Sequence, residues 1–275
     1  MNKSQRKVDM LVEALQYVKK FAGKIIVIKF GGNAMIEKES KDSIFTDIAI
    51  LKMIGLNVIL VHGGGPEVDK EMIAANIPKK VIHGLRVTDK KTLDIVDRVF
   101  KTINHECISA LKKQGISAQD CTRGLISTII RDKRLGYVGE IEHIQSSLLI
   151  KALKKGYVPV VSSLGMTVNG QLTNINADTT ATKIAQSVHA EKLTIITNVK
   201  GVRIEGKFLS HLGSTDATKY IASGEITSGM IPKVLSCVDA VKHDVKKAHL
   251  INGEIRRALL LELFTEKGIG TEIVP

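Results

Sequence analysis

A chain of 275 residues, 44% apolar and 25% charged with only 5 Pro, has the composition of one large α/β domain or two modest lobes sharing a sheet, which excludes disordered and collagen-like polymers. Forty Lys and Arg against 28 Asp and Glu leave +12, but the basic residues are scattered (Lys19-Lys20, Lys112-Lys113, Lys154-Lys155) and only 4% of residues are aromatic, which disfavours a nucleic-acid surface and leaves an anionic small substrate as a fitting partner. No apolar run approaches the roughly 18 residues of a membrane span, and the charged start Met1–Lys7 leads into an amphipathic segment, unlike a signal peptide.

Residues 3–22 are predicted as an amphipathic helix, with Val8, Leu11, Val12, Leu15, Val18 and Phe21 at three- and four-residue steps and Gly23 as its stop. Lys24–Phe30 is a short β-branched run, the pattern of a strand covered on both faces, broken by Gly31-Gly32. A helix over 42–54 ends at Gly55, and a second buried strand over 57–61 enters His62-Gly63-Gly64-Gly65-Pro66. Pro66 stands where a first helical turn tolerates it, and the helix that follows carries Val68, Met72 and Ile73. A long helix spans 90–113, short strands and hairpin turns fill 116–145 around Gly124, Gly136 and Gly139, and a helix over 146–155 feeds a strand over 157–161. In the second half, strands are expected at 192–197 and 247–252, with helices at 178–189, 214–223, 231–243 and 254–264. This strand–glycine loop–helix rhythm implies a mostly parallel sheet between helices. The three cysteines (Cys107, Cys121, Cys237) are far apart and form no C-x-x-C, which fits a reducing, cytoplasmic setting.

In open α/β sheets, ligands bind at the carboxyl ends of strands, where glycines let backbone N–H groups and helix N-termini face an anion. Lys29-Phe30-Gly31-Gly32-Asn33, His62–Pro66 and Gly229–Lys233 are such loops, and none is a Walker A or a dinucleotide fingerprint. Lys29 ends an apolar strand: either its stem lies along the sheet edge with the ammonium in water, or the ammonium stands beside a phosphate held by the Gly31-Gly32 turn. Lys233 sits near a helix start, a poor place for a cation unless an anion is also present. In Gln171–Ala181, Asn176 or Asp178 can act as a helix cap, or Asp178 can hold both lysines. Arg86, in Gly84–Asp89, is a surface residue or a bidentate carboxylate clamp, and Thr88 or Asp89 can cap the next helix. His62 reads as a core or loop histidine, and the spacing yields no Ser-His-Asp, Cys-His or metal-ligating cluster.

The segments IVIKFGGNAM (26–35), VHGGGPEVD (61–69), HGLRVTD (83–89), PVVSSLG (159–165), QLTNINADTTATKIA (171–185) and GMIPK (229–233) together resemble the amino acid kinase family and, within it, the arginine-sensitive acetylglutamate kinases. The likeness spans nearly the whole chain in the family's order of motifs. It implies an open three-layer αβα sandwich around a mainly parallel sheet of about eight strands. By the same likeness, residues 1–22 form an oligomerisation helix. Residues 23–170 form a lobe for the amino-acid substrate and dimerisation, and residues 171–275 a lobe for ATP and arginine. The implied reaction joins ATP and N-acetyl-L-glutamate with Mg2+. Lys29 and Lys233 would stabilise the transferring phosphoryl group, organised by Asp178. Gly64, Gly65, Arg86, Asn174 and Asn176 would surround acetylglutamate. Gly31, Gly32, Thr197, Asn198, Gly201, Ile226 and Thr227 would meet ATP and its phosphates, and no metal ligand would come from a protein side chain.

The resemblance further implies L-arginine as inhibitor, surrounded by Tyr17, Lys192, His249, Glu262 and Gly270, and a homo-oligomer, dimeric or hexameric as a trimer of dimers. Leu259, Leu260, Leu263 and Phe264 also have ordinary core spacing, and the N-terminal helix can equally pack on its own domain. Some members of that group bind the nitrogen-signalling protein PII. Neither a membrane nor a nucleic acid enters this reading. Two departures stand out: Asn198 where relatives carry Asp, and Ser228 where they carry Gly. The competing readings are a sister kinase acting on carrier-linked aminoadipate or glutamate, carbamate or free glutamate, and a non-catalytic arginine-sensing scaffold.

Overall fold

The computed structural model describes residues 2–32, 37–227, 229–265 and 268–275, so Asn33–Met35 of the first glycine motif and the Ser228 departure lie outside the described residues. α1 (Lys3–Phe21) leads into β1 (Ile25–Phe30), α2 (Lys38–Met53), β2 (Asn57–His62) and α3 (Gly65–Ala74). The small hairpin β3 (Val81–Ile82) and β4 (Leu85–Arg86) precedes the long α4 (Lys90–Lys113). Next come β5 (Ala118–Asp120), β6 (Ile126–Ile129), β7 (Glu140–Ile144), α5 (Ser146–Lys154) and β8 (Val158–Ser162). After β9 (Leu164–Met166) and β10 (Leu172–Asn174), α6 (Ala177–Ser187) returns the chain to β11 (Lys192–Thr197). The rest comprises the hairpin β12 (Arg203–Ile204) and β13 (Lys207–Phe208), then β14 (His211–Gly213), α7 (Ser214–Ala222), α8 (Ile231–Lys242), β15 (Lys247–Asn252), α9 (Ala258–Phe264) and β16 (Thr271–Val274).

Eight strands form one sheet in the order β14-β16-β15-β11-β1-β2-β8-β5, parallel at every junction except β15–β16. Side chains alternate between faces along a strand. Ile26, Ile28 and Phe30 of β1 therefore join Ile44 and Phe45 of α2, Phe100 of α4 and Leu259 of α9 on one side. Val27 joins Ala181 and Ile184 of α6 and Val234 of α8 on the other. Two apolar layers flanking one sheet make the three-layer αβα sandwich that the family resemblance implies. Among the described residues, no helix is long and apolar enough to cross a membrane.

The boundaries that moved have physical causes. α2 starts at Lys38, not 42, because its polar first turn, closed by Lys41 N donating to Glu37 O, carries no apolar period. The helix expected over 254–264 starts at Ala258. Before it, Asn252 Oδ1 accepts the Glu254 N–H at 2.9 Å, and Arg257 lies at φ 63° with its N–H on Ser43 Oγ, so the chain turns there. β14 and β16, of 3 and 4 residues, were not anticipated because such short runs have no readable period.

Candidate active site

The alternation along β1 that buries Ile28 and Phe30 on one face sends Lys29 to the other, toward the first turn of α6. There Asn176 is the cap: its Oδ1 accepts the N–H groups of Asp178 at 2.9 Å and Thr179 at 3.0 Å. This frees the Asp178 carboxylate for two ammonium groups, with Lys29 Nζ 3.0 Å from Oδ1 and Lys233 Nζ 2.8 Å from Oδ2. Lys29 is only 6% exposed, which overturns the sheet-edge alternative for its ammonium. Burial works to raise the pKa of Asp178, but the two lysines outweigh it and hold the carboxyl down at about 2.

Two cavities open at this three-group cluster. The first, about 280 Å³, is lined by Lys29, Gly32, Gly64, Gly65, Arg86, Asn174 and Asn176, with Val96 and Phe100 supplying apolar wall. Gly64 is required there by space: a Cβ would lie 2.6 Å from Ile103 Cδ1 and 3.0 Å from Phe100 Cε1. Asn174 Nδ2 donates to Thr88 Oγ1 (3.1 Å), which donates to Arg86 O (2.9 Å), tying β10 to the HGLRVTD segment. Asp89, not Thr88, caps α4, accepting the Thr92 N–H at 2.8 Å. The guanidinium of Arg86 is held by Asp69 at 2.6 Å, and Lys79 shares that carboxylate at 2.9 Å. Burial tends to raise the pKa of Asp69, and these two cations bring it below the ordinary carboxylate range.

The second cavity, about 460 Å³, is lined by Thr197, Asn198, Gly201, Ile226, Thr227 and Lys233. Of the two glycines expected beside phosphate, Gly32 thus lies in the first cavity, while Gly31 packs against the Lys29 ammonium, 3.1 Å from where its Cβ would be. Lys29 faces one cavity, Lys233 faces the other, and a single carboxylate holds both.

The profile of the amino acid kinase family matches residues 24–252. The chain belongs to the amino acid kinase family. An acetylglutamate kinase of Caldicellulosiruptor saccharolyticus is 41% identical over 289 aligned residues, covering 99% of this chain and 98% of that protein. Another, of Petrotoga mobilis, is also 41% identical, covering 97% and 93%. The solved N-acetylglutamate synthase of Neisseria gonorrhoeae, complexed with coenzyme A and N-acetyl-glutamate, shares the fold with a TM-score of 0.90 at 24% identity over 98% of this chain. The chain spans 63% of that synthase's length.

This amino acid kinase has a third cavity, about 300 Å³, where Tyr17, Lys192, His249, Glu262 and Gly270 meet. Glu262 Oε1 takes Lys192 Nζ at 2.8 Å and His249 Nε2 at 2.7 Å, and its Oε2 accepts the Ile269 N–H at 2.7 Å. Burial opposes ionisation of Glu262, yet His249 and Lys192 prevail and hold its pKa at about 2. Lys192 begins β11 and Thr197 ends it, so this cavity lies one strand length, roughly 17 Å, from the second.

Asp69 was not among the residues singled out from sequence. Its signal was available in VHGGGPEVD, an acid one turn after a glycine loop, but nothing local pairs it with Arg86. His62 is fully buried: its Nδ1 donates to Gly63 O at 2.9 Å, its ring meets Phe100 edge to face, and burial takes its pKa down to about 4.

Proposed function

We propose that this amino acid kinase transfers the γ-phosphoryl group of ATP to the side-chain carboxylate of N-acetyl-L-glutamate, giving N-acetyl-L-glutamyl 5-phosphate and ADP for arginine biosynthesis. The observation that carries this reading is Asp178 bridging Lys29 and Lys233, one lysine at the edge of each of two adjoining cavities. Curated acetylglutamate kinases, 41% identical over nearly the whole chain, support it.

The chemistry follows from charge. A γ-carboxylate, with a pKa near about 4.3, is ionised at neutral pH and needs no general base. The barrier is to bring a dianionic amino acid against a polyanionic nucleotide, so neutralisation and in-line positioning supply the catalysis. One carboxylate oxygen attacks the γ-phosphorus while the bond to the bridging oxygen of ADP breaks. Lys29 and Lys233 offset the charge that spreads over the transferring group, and Asp178 fixes both ammonium groups before reaction. Backbone N–H groups at Gly32 and Gly64 serve the phosphoryl oxygens. Arg86, pre-positioned by Asp69, receives the α-carboxylate, with Gly65, Asn174 and Asn176 around the substrate. The nucleotide occupies the second cavity, against Thr197, Asn198, Gly201, Ile226 and Thr227. Asn198 adds no negative charge beside it. Among the described residues, no three His, Cys, Asp or Glu side chains converge on a metal site. The protein side of the cleft offers cations and N–H donors, and Mg2+ bound with the nucleotide would supply further neutralisation.

The reading extends to a cytoplasmic, homo-oligomeric enzyme, a dimer or a hexamer built as a trimer of dimers. Residues 23–170 serve the amino acid, residues 171–275 serve ATP, and α1 joins dimers. L-arginine inhibits from the third cavity, where Glu262 offers a buried carboxylate to a guanidinium.

An acyl-phosphate assay with purified protein, ATP and Mg2+, run separately with N-acetylglutamate, N-acetylaspartate and glutamate, tests the assignment. N-acetylglutamate is the expected best acceptor, and a preference for free glutamate overturns the reading. Lys29→Ala and Lys233→Ala are each expected to lower turnover by at least about 10²-fold; near-normal turnover in either variant removes that lysine's role.

A further inference from the structure

The second cavity has both charged and apolar lining. Lys233, paired with Asp178, lines it, and so do Val199, 38% exposed, and Phe208, 53% exposed. This phenylalanine and this valine leave apolar surface that the other described residues do not cover. The ring stands on the β12–β13 hairpin, whose turn residues Glu205 and Gly206 have φ 46° and 80°, the signature of a two-residue type I′ loop. In its ladder Arg203 is directly opposite Phe208, so the two side chains share one face, and both line the cavity. Ile204, next along the strand, points the other way and is buried at 7% exposure, which fixes the face that Arg203 and Phe208 present.

The hairpin is also rooted. Leu209 N donates to Val202 O at 2.9 Å. The buried Thr271 hydroxyl accepts the Val202 N–H at 2.8 Å and donates to Leu209 O at 2.6 Å. A rooted hairpin with an aromatic ring and a guanidinium side by side offers a flat apolar face with a cation beside it, in the same cavity as the phosphate-facing lysine. A purine has the matching chemistry: a π-face to stack and ring nitrogens to accept hydrogen bonds.

We propose that Phe208 and Arg203 form a clamp on the nucleotide base, Phe208 stacking on the purine and Arg203 lying at its edge, so that the triphosphate is delivered toward Lys233. This rests on the reading that the second cavity receives ATP. Stacking accepts any purine, so the clamp positions the nucleotide and does not choose between adenine and guanine.

The chain contains no Trp, so Phe208→Trp places a single indole on the hairpin. AMP and ATP are expected to quench its emission and inorganic tripolyphosphate to leave it unchanged, while tripolyphosphate still competes with ATP in the acyl-phosphate assay. Phe208→Ala is expected to raise the KM for ATP roughly tenfold with a smaller change in kcat, Phe208→Tyr to restore it, and Arg203→Ala to raise it about threefold. If tripolyphosphate competes with ATP but AMP and ATP leave the indole emission unchanged, the cavity binds nucleotide and the clamp is overturned. If tripolyphosphate does not compete and Lys233→Ala binds ATP as tightly as the native chain, the underlying nucleotide reading fails, and the clamp with it.

Discussion

Asp178 and His62 show two ways in which a buried ionisable side chain is tolerated. Asp178 is compensated by two cations. Truncating it would leave Lys29, whose side chain is 7% exposed, without a counter-charge, the costly outcome for any buried pair. His62 is tolerated by staying neutral. Its Nδ1–H is used on Gly63 O, and among the described residues its Nε2 has no partner. With a folded pKa of about 4 against 6.5 when exposed, the unfolded chain binds the extra proton between those values. Stability is therefore full above pH 6.5 and falls, by on the order of a few kcal/mol, as pH drops toward 4. Asp178 and Glu262, both depressed to about 2, add their losses only below the ordinary carboxylate range. Urea melts at pH 7, 5.5 and 4.5 check this. His62→Asn should reduce the slope between pH 6.5 and 4, with His249, whose pKa burial also lowers, supplying part of what remains, and a native chain equally stable across that window would mean the imidazole is not held neutral. What the sequence shows at this scale is a lysine ending an apolar strand and an aspartate near a helix start. The sequence leaves Asp178 either as a helix cap or as the holder of both lysines, and cannot choose because Lys233 and Asp178 are 55 residues apart.

Among the elements, those with a strong period were legible and those held by single side chains were not. α4 and the strands β1, β2 and β11 lie within a residue or two of their expected bounds because long apolar periods define them. β16 escaped notice because Thr271–Val274 is short, although its first residue ties the chain's end to the hairpin root. Thr271→Val removes that hydroxyl and leaves the Val202 N–H and Leu209 carbonyl without their shared partner. We expect a loss of about 1–3 kcal/mol, faster hydrogen exchange at Val202, and a several-fold higher KM for ATP, with Thr271→Ser close to native. Unchanged exchange at Val202 would show that the hydroxyl does not hold the hairpin.

The molecule as a whole separates its sites along the sheet. The first two cavities gather at the carboxyl ends of β1, β2 and β11, where parallel strands aim loops and helix N-termini toward a ligand. The third lies at the opening end of β11 and is walled partly by Tyr17 of α1, whose ring meets Phe264 of α9 edge to face at 6.2 Å. Farther along α1, Val8, Val12 and Leu15 are 51%, 54% and 63% exposed at four- and three-residue steps. An apolar stripe on the outer part of the helix whose inner end lines the third cavity would link assembly to inhibition. On the proposal that α1 joins dimers into a hexamer inhibited by arginine, deleting residues 1–22 is expected to leave dimers and weaken inhibition; sedimentation showing an unchanged assembly would contradict the role given to α1.

The sequence by itself determined the kinds and order of the elements with a long apolar period, the burial of their strands on both faces, the placing of glycine loops after strands, and a chemistry of cations gathered for an anion. These are local properties, set by period, propensity and side-chain charge within a few residues. Only the tertiary structure decided that β1 lies between β11 and β2, that Asp69 takes Arg86, and that Asp178 spends its carboxylate on two lysines while Asn176 caps the helix. Those pairings arise when the sheet packs against both helical layers. Desolvation then compels each buried charge to find a partner, and proximity in space replaces proximity in the chain.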